Sequence, residues 1–192
     1  MANASTCFVL YVQLEPLQLN PPVWRRMIVN SDVTLRRLHH FIQAAMGWSS
    51  KHLYEFDLNE QRYGLPDQDF PDPHLLDDRK FKLKRVLSVG DRLRYTYDFG
   101  DSWQHVIAVE AQGPDEGEGA WCVVIEGERA CPPEDCGGVD SYQEILAMLK
   151  RAPGSEEAQH FHRWVGPGFD PERFDPRAAS AATQRICNNF WG

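Results

Sequence analysis

The sequence predicts an α+β fold: a β-grasp-like mixed sheet crossed by one helix, with a C-terminal helical extension. Three observations lead there. Short apolar or alternating runs fill residues 7–127, one stretch with helical spacing interrupts them at Leu35–Met46, and beyond Glu128 the texture turns helical. The order strand, strand, helix, strand, hairpin is that of a β-grasp sheet, and the amphipathic helix needs one sheet face to bury its stripe. The 192 residues read as a single domain, 1–192, with a core over 7–127 and the extension 128–192 packed on an edge or open face.

Phe8 to Leu14 is a continuous apolar run, hence a buried strand, and Asn20-Pro21-Pro22 marks the turn to a second strand, Val23 to Val29. Alternation there puts Val23, Arg25, Met27 and Val29 on one face and Trp24, Arg26 and Ile28 on the other, a pattern that suits a strand with both faces partly covered. Asp32 is the expected cap of the helix carrying Leu35, Leu38, Ile42, Ala45 and Met46, and Gly47 its stop. His52 to Leu58 is a third strand, and Asn59 to Asp78, rich in Pro, Asp and Gln, is expected as loop.

Leu83 to Leu87 reads as a short helix or turn. Gly90-Asp91 then launches a hairpin of Arg92–Asp98 and Trp103–Glu110, followed by a loop over Ala111–Gly119 and a strand from Trp121 to Glu126. In the extension, Ser141 and Glu144 form a capping box, Ser155 caps a second helix with Phe161 and Trp164, and Asp175-Pro176 opens a third over Ala178–Cys187.

Net charge is −8, which repels phosphate unless basic groups cluster and so counts against nonspecific nucleic-acid binding. No apolar run approaches the roughly 20 residues of a membrane-spanning helix. A polar Met1–Thr6 and five scattered cysteines, an odd number, point to reduced thiols and a cytoplasmic location.

The chemistry-bearing residues concentrate in two segments. In the first, Tyr97, Asp98, Asp101, Trp103 and His105 gather carboxylates, an imidazole and rings around one sharp turn. Asp98, Asp101 and His105, with Glu134, offer oxygen and imidazole ligands for a divalent metal; alternatively the two aspartates accept backbone N–H groups and shape the turn, with Trp103 and His105 simply alternating inward on the strand. In the second, 127–138, prolines stiffen and glycines free a loop that presents Glu134 and Asp135.

Cys131 and Cys136, separated by four residues, have zinc-knuckle spacing, but a structural zinc needs four ligands; His160 and His162 would have to fold back, and inert thiols explain the pair better. Trp24-Arg25-Arg26, with Arg36 and Arg37, is the best basic spot, read either as a stacking surface for bases or as a solvated edge or internal ion pair with Glu134 or Asp135. His39 and His40 are adjacent on a helix and point apart, so they do not share a metal. Asp98-Phe99-Gly100 spells a kinase tripeptide, yet the Gly-rich loop, strand lysine and H-R-D loop are missing. Nucleophile-elbow, phosphate-loop and dinucleotide fingerprints are missing too.

Five ordered motifs carry a resemblance: Pro22-Val23-Trp24-Arg25-Arg26, Leu35-x-x-Leu38-His39-x-x-Ile42-Gln43-x-x-Met46-Gly47-Trp48, His52-Leu53-Tyr54-x-Phe56, Tyr97-Asp98-Phe99-Gly100-Asp101-x-Trp103-x-His105, and Pro132-Pro133-Glu134-Asp135-Cys136-Gly137-Gly138. Over about residues 8–175 the chain resembles the plasmid pRiA ORF-three-like family. The resemblance implies a plasmid and mobile-element association, with some members labelled transposon passengers under a resolvase-like name, and it implies a fold rather than a reaction. Recombinase chemistry does not suit the chain, because Ser5 and Ser31 lack surrounding arginines and the tail Ala178–Gly192 carries no basic cluster.

The expectation is a non-enzymatic binding module for a protein or small polar ligand, without membrane contact and with no cofactor. Trp24, Arg25, Tyr97, Asp98, Asp101, Trp103, His105, Glu134 and Asp135 would form its surface. The alternatives are a metal-dependent phosphoester hydrolase using Asp98, Asp101, His105 and Glu134, and a nucleic-acid-binding accessory protein using Arg25, Arg26, Arg36 and Arg37.

Overall fold

A computed structural model describes residues 5–16, 22–115 and 121–188. The chain folds as α+β around an eight-stranded mixed sheet. The strands are β1 (Thr6–Leu14), β2 (Trp24–Asn30), β3 (Tyr54–Leu58), β4 (Gln61–Gly64), β5 (Leu75–Asp77), β6 (Arg92–Tyr97), β7 (Trp103–Pro114) and β8 (Cys122–Glu128), in the spatial order β5-β4-β3-β6-β7-β1-β2-β8. Neighbours are antiparallel except the β4–β5 pair, which is parallel.

Helix α1 (Leu35–Met46) buries Leu35, Leu38, Phe41, Ile42, Ala45 and Met46, joining Leu10, Met27, Phe56 and Ile107 of the sheet in one core. Removing that apolar surface from water is the main stabilising term. Gly47, at φ 89, ends α1 as its spacing predicts, its N–H returning to the Gln43 carbonyl. The start differs from expectation. Thr34, not Asp32, caps α1 by accepting the Arg37 N–H, while Asp32 pairs with Lys82 (3.0 Å) and Lys84 (2.7 Å). Backbone bonds from Leu35 N to Phe81 O and from Leu83 N to Val33 O hold residues 33–34 extended, so the helix cannot begin earlier.

The expected loop over Asn59–Asp78 contains two strands. Asn59 and Glu60, at φ 52 and 67, make the two-residue left-handed turn that a tight hairpin demands, so Leu58 pairs with Gln61. Strand β5 then adds beside β4. Strand β7 runs to Pro114 rather than stopping at Glu110, because β1 supplies partners along its length; residues 116–119 of the expected loop lie outside the described residues. In β2, Arg25, Met27 and Val29 are buried while Ile28 is exposed and Trp24 and Arg26 half-buried, so one face is covered and the other meets solvent.

Beyond the single turn α2 (Leu83–Val86), the extension holds α3 (Gly138–Arg151), α4 (Glu156–Val165) and α5 (Pro176–Asn188). Ser155 caps α4 and Asp175 accepts the N–H groups of Arg177 and Ala178, as their sequence positions predict. The Ser141 capping box does not form: α3 starts at Gly138, inside which Ser141 is already helical. Helix α5 lies along the outer edge of β8, where the Ser180 hydroxyl bonds both N and O of Val124 and Thr183 bonds the Cys122 carbonyl. That contact covers an otherwise open strand edge. Among the described residues no helix is long and apolar enough to cross a membrane.

Candidate functional site

The two polar segments, far apart in sequence, meet at one end of the sheet. The β6–β7 connection, residues 98–102, is shaped by its own aspartate: Asp98 Oδ1 accepts the Gly100 N–H at 2.9 Å, and its carbonyl accepts the Ser102 N–H. Asp98 at φ 55 uses the left-handed conformation that Asp tolerates better than most residues. The 131–138 loop docks on this turn. Asp101 Oδ2 accepts the Gly137 N–H at 3.1 Å, and Gly138, at φ 80, lies so near Asp101 that a β-carbon there would sit 2.7 Å from the Asp101 carbonyl oxygen.

Tyr97 and Glu134 form the second tie. The Tyr97 hydroxyl donates to Glu134 Oε1 at 2.6 Å and accepts the Lys51 N–H, while Ser49 Oγ donates to Glu134 Oε2 at 2.6 Å. Partial burial raises the Glu134 pKa, but the bonds from Ser49 and Tyr97 outweigh it and hold the carboxyl below its ordinary value. Burial and the Glu134 charge push the Tyr97 phenol up, keeping it a neutral donor. Trp48 stacks on Tyr97 with ring centroids 5.1 Å apart and donates its indole N–H to the Pro132 carbonyl.

His52 bridges the third point. Its Nε2 lies 3.1 Å from Asp135 Oδ1 and 3.7 Å from Asp98 Oδ2. The nearer approach counts as an ion-pair distance if the ring is protonated, but it is not aligned as a hydrogen bond and Nε2 has no other partner.

The sequence candidates therefore divide. Tyr97, Asp98, Asp101, Glu134 and Asp135 converge. Arg25 is 2% exposed and serves inside: its guanidinium donates to the carbonyls of Ala45 (3.0 Å), Trp24 (2.7 Å), Glu128 (2.9 Å) and Arg129 (2.9 Å) and stacks on Phe174, so neither Glu134 nor Asp135 is its partner. Burial lowers it to about 10, still protonated at neutral pH. Trp24 points to the opposite face of β2, stacked on Tyr11 and bonded to Glu128.

Trp103 and His105 are fully buried in the core. His105 Nδ1 lies against the Trp103 carbonyl, Nε2 has no partner, and burial pushes its pKa down to about 4. The set Asp98, Asp101, His105 and Glu134 is consequently not brought together, because β7 alternation turns His105 into the core while both aspartates sit in the turn before β7. Burial also raises the Cys131 thiol, and lifts Cys136 to about 12, as inert thiols require.

Among the described residues, His52, Asp98 and Asp135 are the group of ligand-type side chains whose donor atoms all fall within 4.8 Å of one another. Sequence reading missed His52, Ser49 and Lys51. Their signal was the short polar Ser49–His52 segment after the α1 stop, of which His52 was read as the start of the third strand, whereas β3 begins at Tyr54.

Asp135 also opens onto a groove of about 670 Å³ between α3 and α4, with Ile145, Met148, Phe161 and half-exposed Trp164 in its wall and Glu156, Glu157 and Arg163 at its rim. The arginines proposed for nucleic acid are engaged internally: Arg26 pairs with Glu110 and Glu126, Arg36 bonds the Tyr54 hydroxyl and Arg37 the Cys187 carbonyl.

This arrangement defines a class: an α+β sheet protein whose C-terminal extension completes a polar junction at one sheet end. The chain belongs to the plasmid pRiA4b ORF-3-like protein family, whose model matches residues 6–178. It is 39% identical over 150 residues to the uncharacterized protein y4hQ of Sinorhizobium fredii, covering 77% of this chain and 76% of that protein. The crystal structure of MM3350, a protein of unknown function from Methanosarcina mazei Go1, is similar with a TM-score of 0.80 and 33% identity, over 92% of this chain and 97% of the other.

Proposed function

We propose that the protein is a binding module, linked to plasmids and mobile elements, whose contact surface starts at the Asp98–Asp135 junction and continues into the α3–α4 groove. The observation that carries this reading is Asp135 itself, which borders both the junction and a groove walled by Ile145, Met148, Phe161 and Trp164. Carboxylates of Asp135, Glu156 and Glu157 beside apolar walls suit a partner segment that alternates basic and apolar side chains. The overall charge of −8 favours the same partner and, with Arg26, Arg36 and Arg37 engaged internally, opposes nucleic acid. The plasmid in the family's description supports the mobile-element link, and five free thiols support a cytoplasmic setting. The β-grasp-like description of the core belongs to this reading, supported by the β1–β2 hairpin leading into a helix that crosses the sheet.

Fluorescence anisotropy with a labelled Lys/Leu amphipathic peptide, its Glu/Leu counterpart and the Trp164→Ala variant tests it. Preference for the basic peptide, weakened several-fold by Trp164→Ala, is expected; equal binding of both peptides, or indifference to Trp164→Ala, would reject the groove.

A further inference from the structure

We propose that His52, Asp98 and Asp135 form a binding site for a first-row divalent transition-metal ion, of the Zn²⁺ or Mn²⁺ kind, where the β6–β7 connection meets the 131–138 loop. The three donors come from three separate segments, the approach to β3, the turn after β6 and the loop before α3, so only the folded chain assembles them.

The spacing suits an ion. Metal–nitrogen and metal–oxygen bonds of roughly 2.0–2.2 Å at tetrahedral or octahedral angles place neighbouring donor atoms about 2.9–3.6 Å apart. His52 Nε2 stands 3.1 Å from Asp135 Oδ1, within that range, and 3.7 Å from Asp98 Oδ2, just beyond it. The third edge of the triangle closes by rotation of the Asp135 side chain, which is 63% exposed and free to turn.

One buried atom without a hydrogen bond lies at the site. His52 Nε2 is shielded from solvent and makes no hydrogen bond. Asp98 is 8% exposed; its Oδ1 takes the Gly100 N–H, while its Oδ2 faces His52 at 3.7 Å. A buried polar atom left without a partner calls for a cause, and a bound ion is one. Asp98 is also held in place, by the bonds Gly100 N to its Oδ1 and Asp98 N to the Leu53 carbonyl, so the site is partly organised before any ion arrives.

One imidazole with two carboxylates matches the borderline to hard preferences of Zn²⁺ and Mn²⁺ and does not supply the six to eight oxygens that Ca²⁺ takes. The exposed side at Asp135 leaves positions for water or a ligand group. This site does not depend on the groove reading, although both involve Asp135. Its readout is the ion's own, so failure of the peptide experiment leaves it standing.

The test uses the full chain stripped with a chelator and titrated calorimetrically with ZnCl₂ and with MnCl₂, alongside histidine nitrogen NMR with Zn²⁺. One saturable equivalent is expected, with a raised melting temperature and a shifted Nε2 resonance for a single one of the seven histidines. Since loss of even an outer-shell partner weakens a metal site by about tenfold or more, His52→Gln and Asp135→Asn should each cost at least that. Asp69→Asn, at an exposed carboxylate outside the site, should cost nothing. No saturable binding, or undiminished binding by Asp135→Asn, would overturn the proposal and leave His52 as an ion-pair partner only. If His52→Gln unfolds, the exposed Asp135→Asn substitution decides by itself.

Discussion

The Tyr97 hydroxyl donates a 2.6 Å hydrogen bond to Glu134 across 37 positions of sequence, fastening the end of β6 to the loop that begins the helical extension. Ser49 and Lys51 join the same pair from the α1–β3 connection, so three chain segments share one small polar cluster. A cluster of this kind is worth more complete than in parts, because each member left behind stays desolvated without its partner.

Tyr97→Phe should lower the unfolding free energy by about 1–2 kcal/mol at pH 7, the cost of a lost bond to a charged acceptor. Glu134 has a folded pKa below its ordinary 4.5, so its contribution is full above that value and disappears as pH falls through the lowered one. Denaturant melts of both proteins at pH 7 and near pH 3 check this. The gap should narrow in acid; an undiminished gap would mean that the Glu134 charge plays no part.

Gly138→Ala should loosen the junction. A β-carbon at φ 80 is strained, and this one would lie 2.7 Å from a backbone oxygen of Asp101 that cannot swing aside. The expected loss is about 2 kcal/mol or more. Hydrogen exchange should show faster opening at Gly137 and Gly100, whose N–H groups bond Asp101 and Asp98. Exchange unchanged at both amides would argue that loop and turn are held independently.

Arg25→Lys keeps the charge and discards the planar fork. One ammonium cannot reach the carbonyls of Trp24, Ala45, Glu128 and Arg129 together, nor stack on Phe174. Leaving buried acceptors unpaired should cost about 3 kcal/mol. Chemical denaturation measures it, and a loss under 1 kcal/mol would contradict the structural role assigned to Arg25.

Acid should destabilise the protein through its buried imidazoles. His105 and His40 are pushed down to about 4, chiefly by burial, from an ordinary 6.5. Between those values the unfolded chain binds protons that the folded one refuses, so stability falls as pH drops from 6.5 to 4, by up to about 1.4 kcal/mol per pH unit for each histidine. Melts at pH 7, 6 and 5 should show the slope, and His105→Gln should flatten it by one proton's share. An unaltered slope in that variant would place the proton elsewhere.

Much of the scaffold was legible because its signals are local. Alternation along β2, the stop at Gly47 and the caps at Ser155 and Asp175 each depend on a few neighbouring residues, and the structure reproduces them. The misses share a cause. Asn59-Glu60 turns a hairpin without the glycine that usually announces one, and Asp32 was displaced as a cap because distant Phe81 and Leu83 hold its neighbourhood extended. At the site, the two polar segments were visible as composition, whereas His52 was not, since nothing near it in sequence marks it as a partner of Asp98 and Asp135.

By itself the sequence determined the α+β texture, the strand faces and the two segments in which polar chemistry gathers, because side-chain periodicity and turn residues act over a few positions. Only the tertiary structure decided that these segments meet, that Arg25 serves backbone carbonyls rather than Glu134 or Asp135, and that His52 stands between two carboxylates. The reason is geometric: sheet order and loop docking bring together residues dozens of positions apart, and no local pattern encodes which of them will touch.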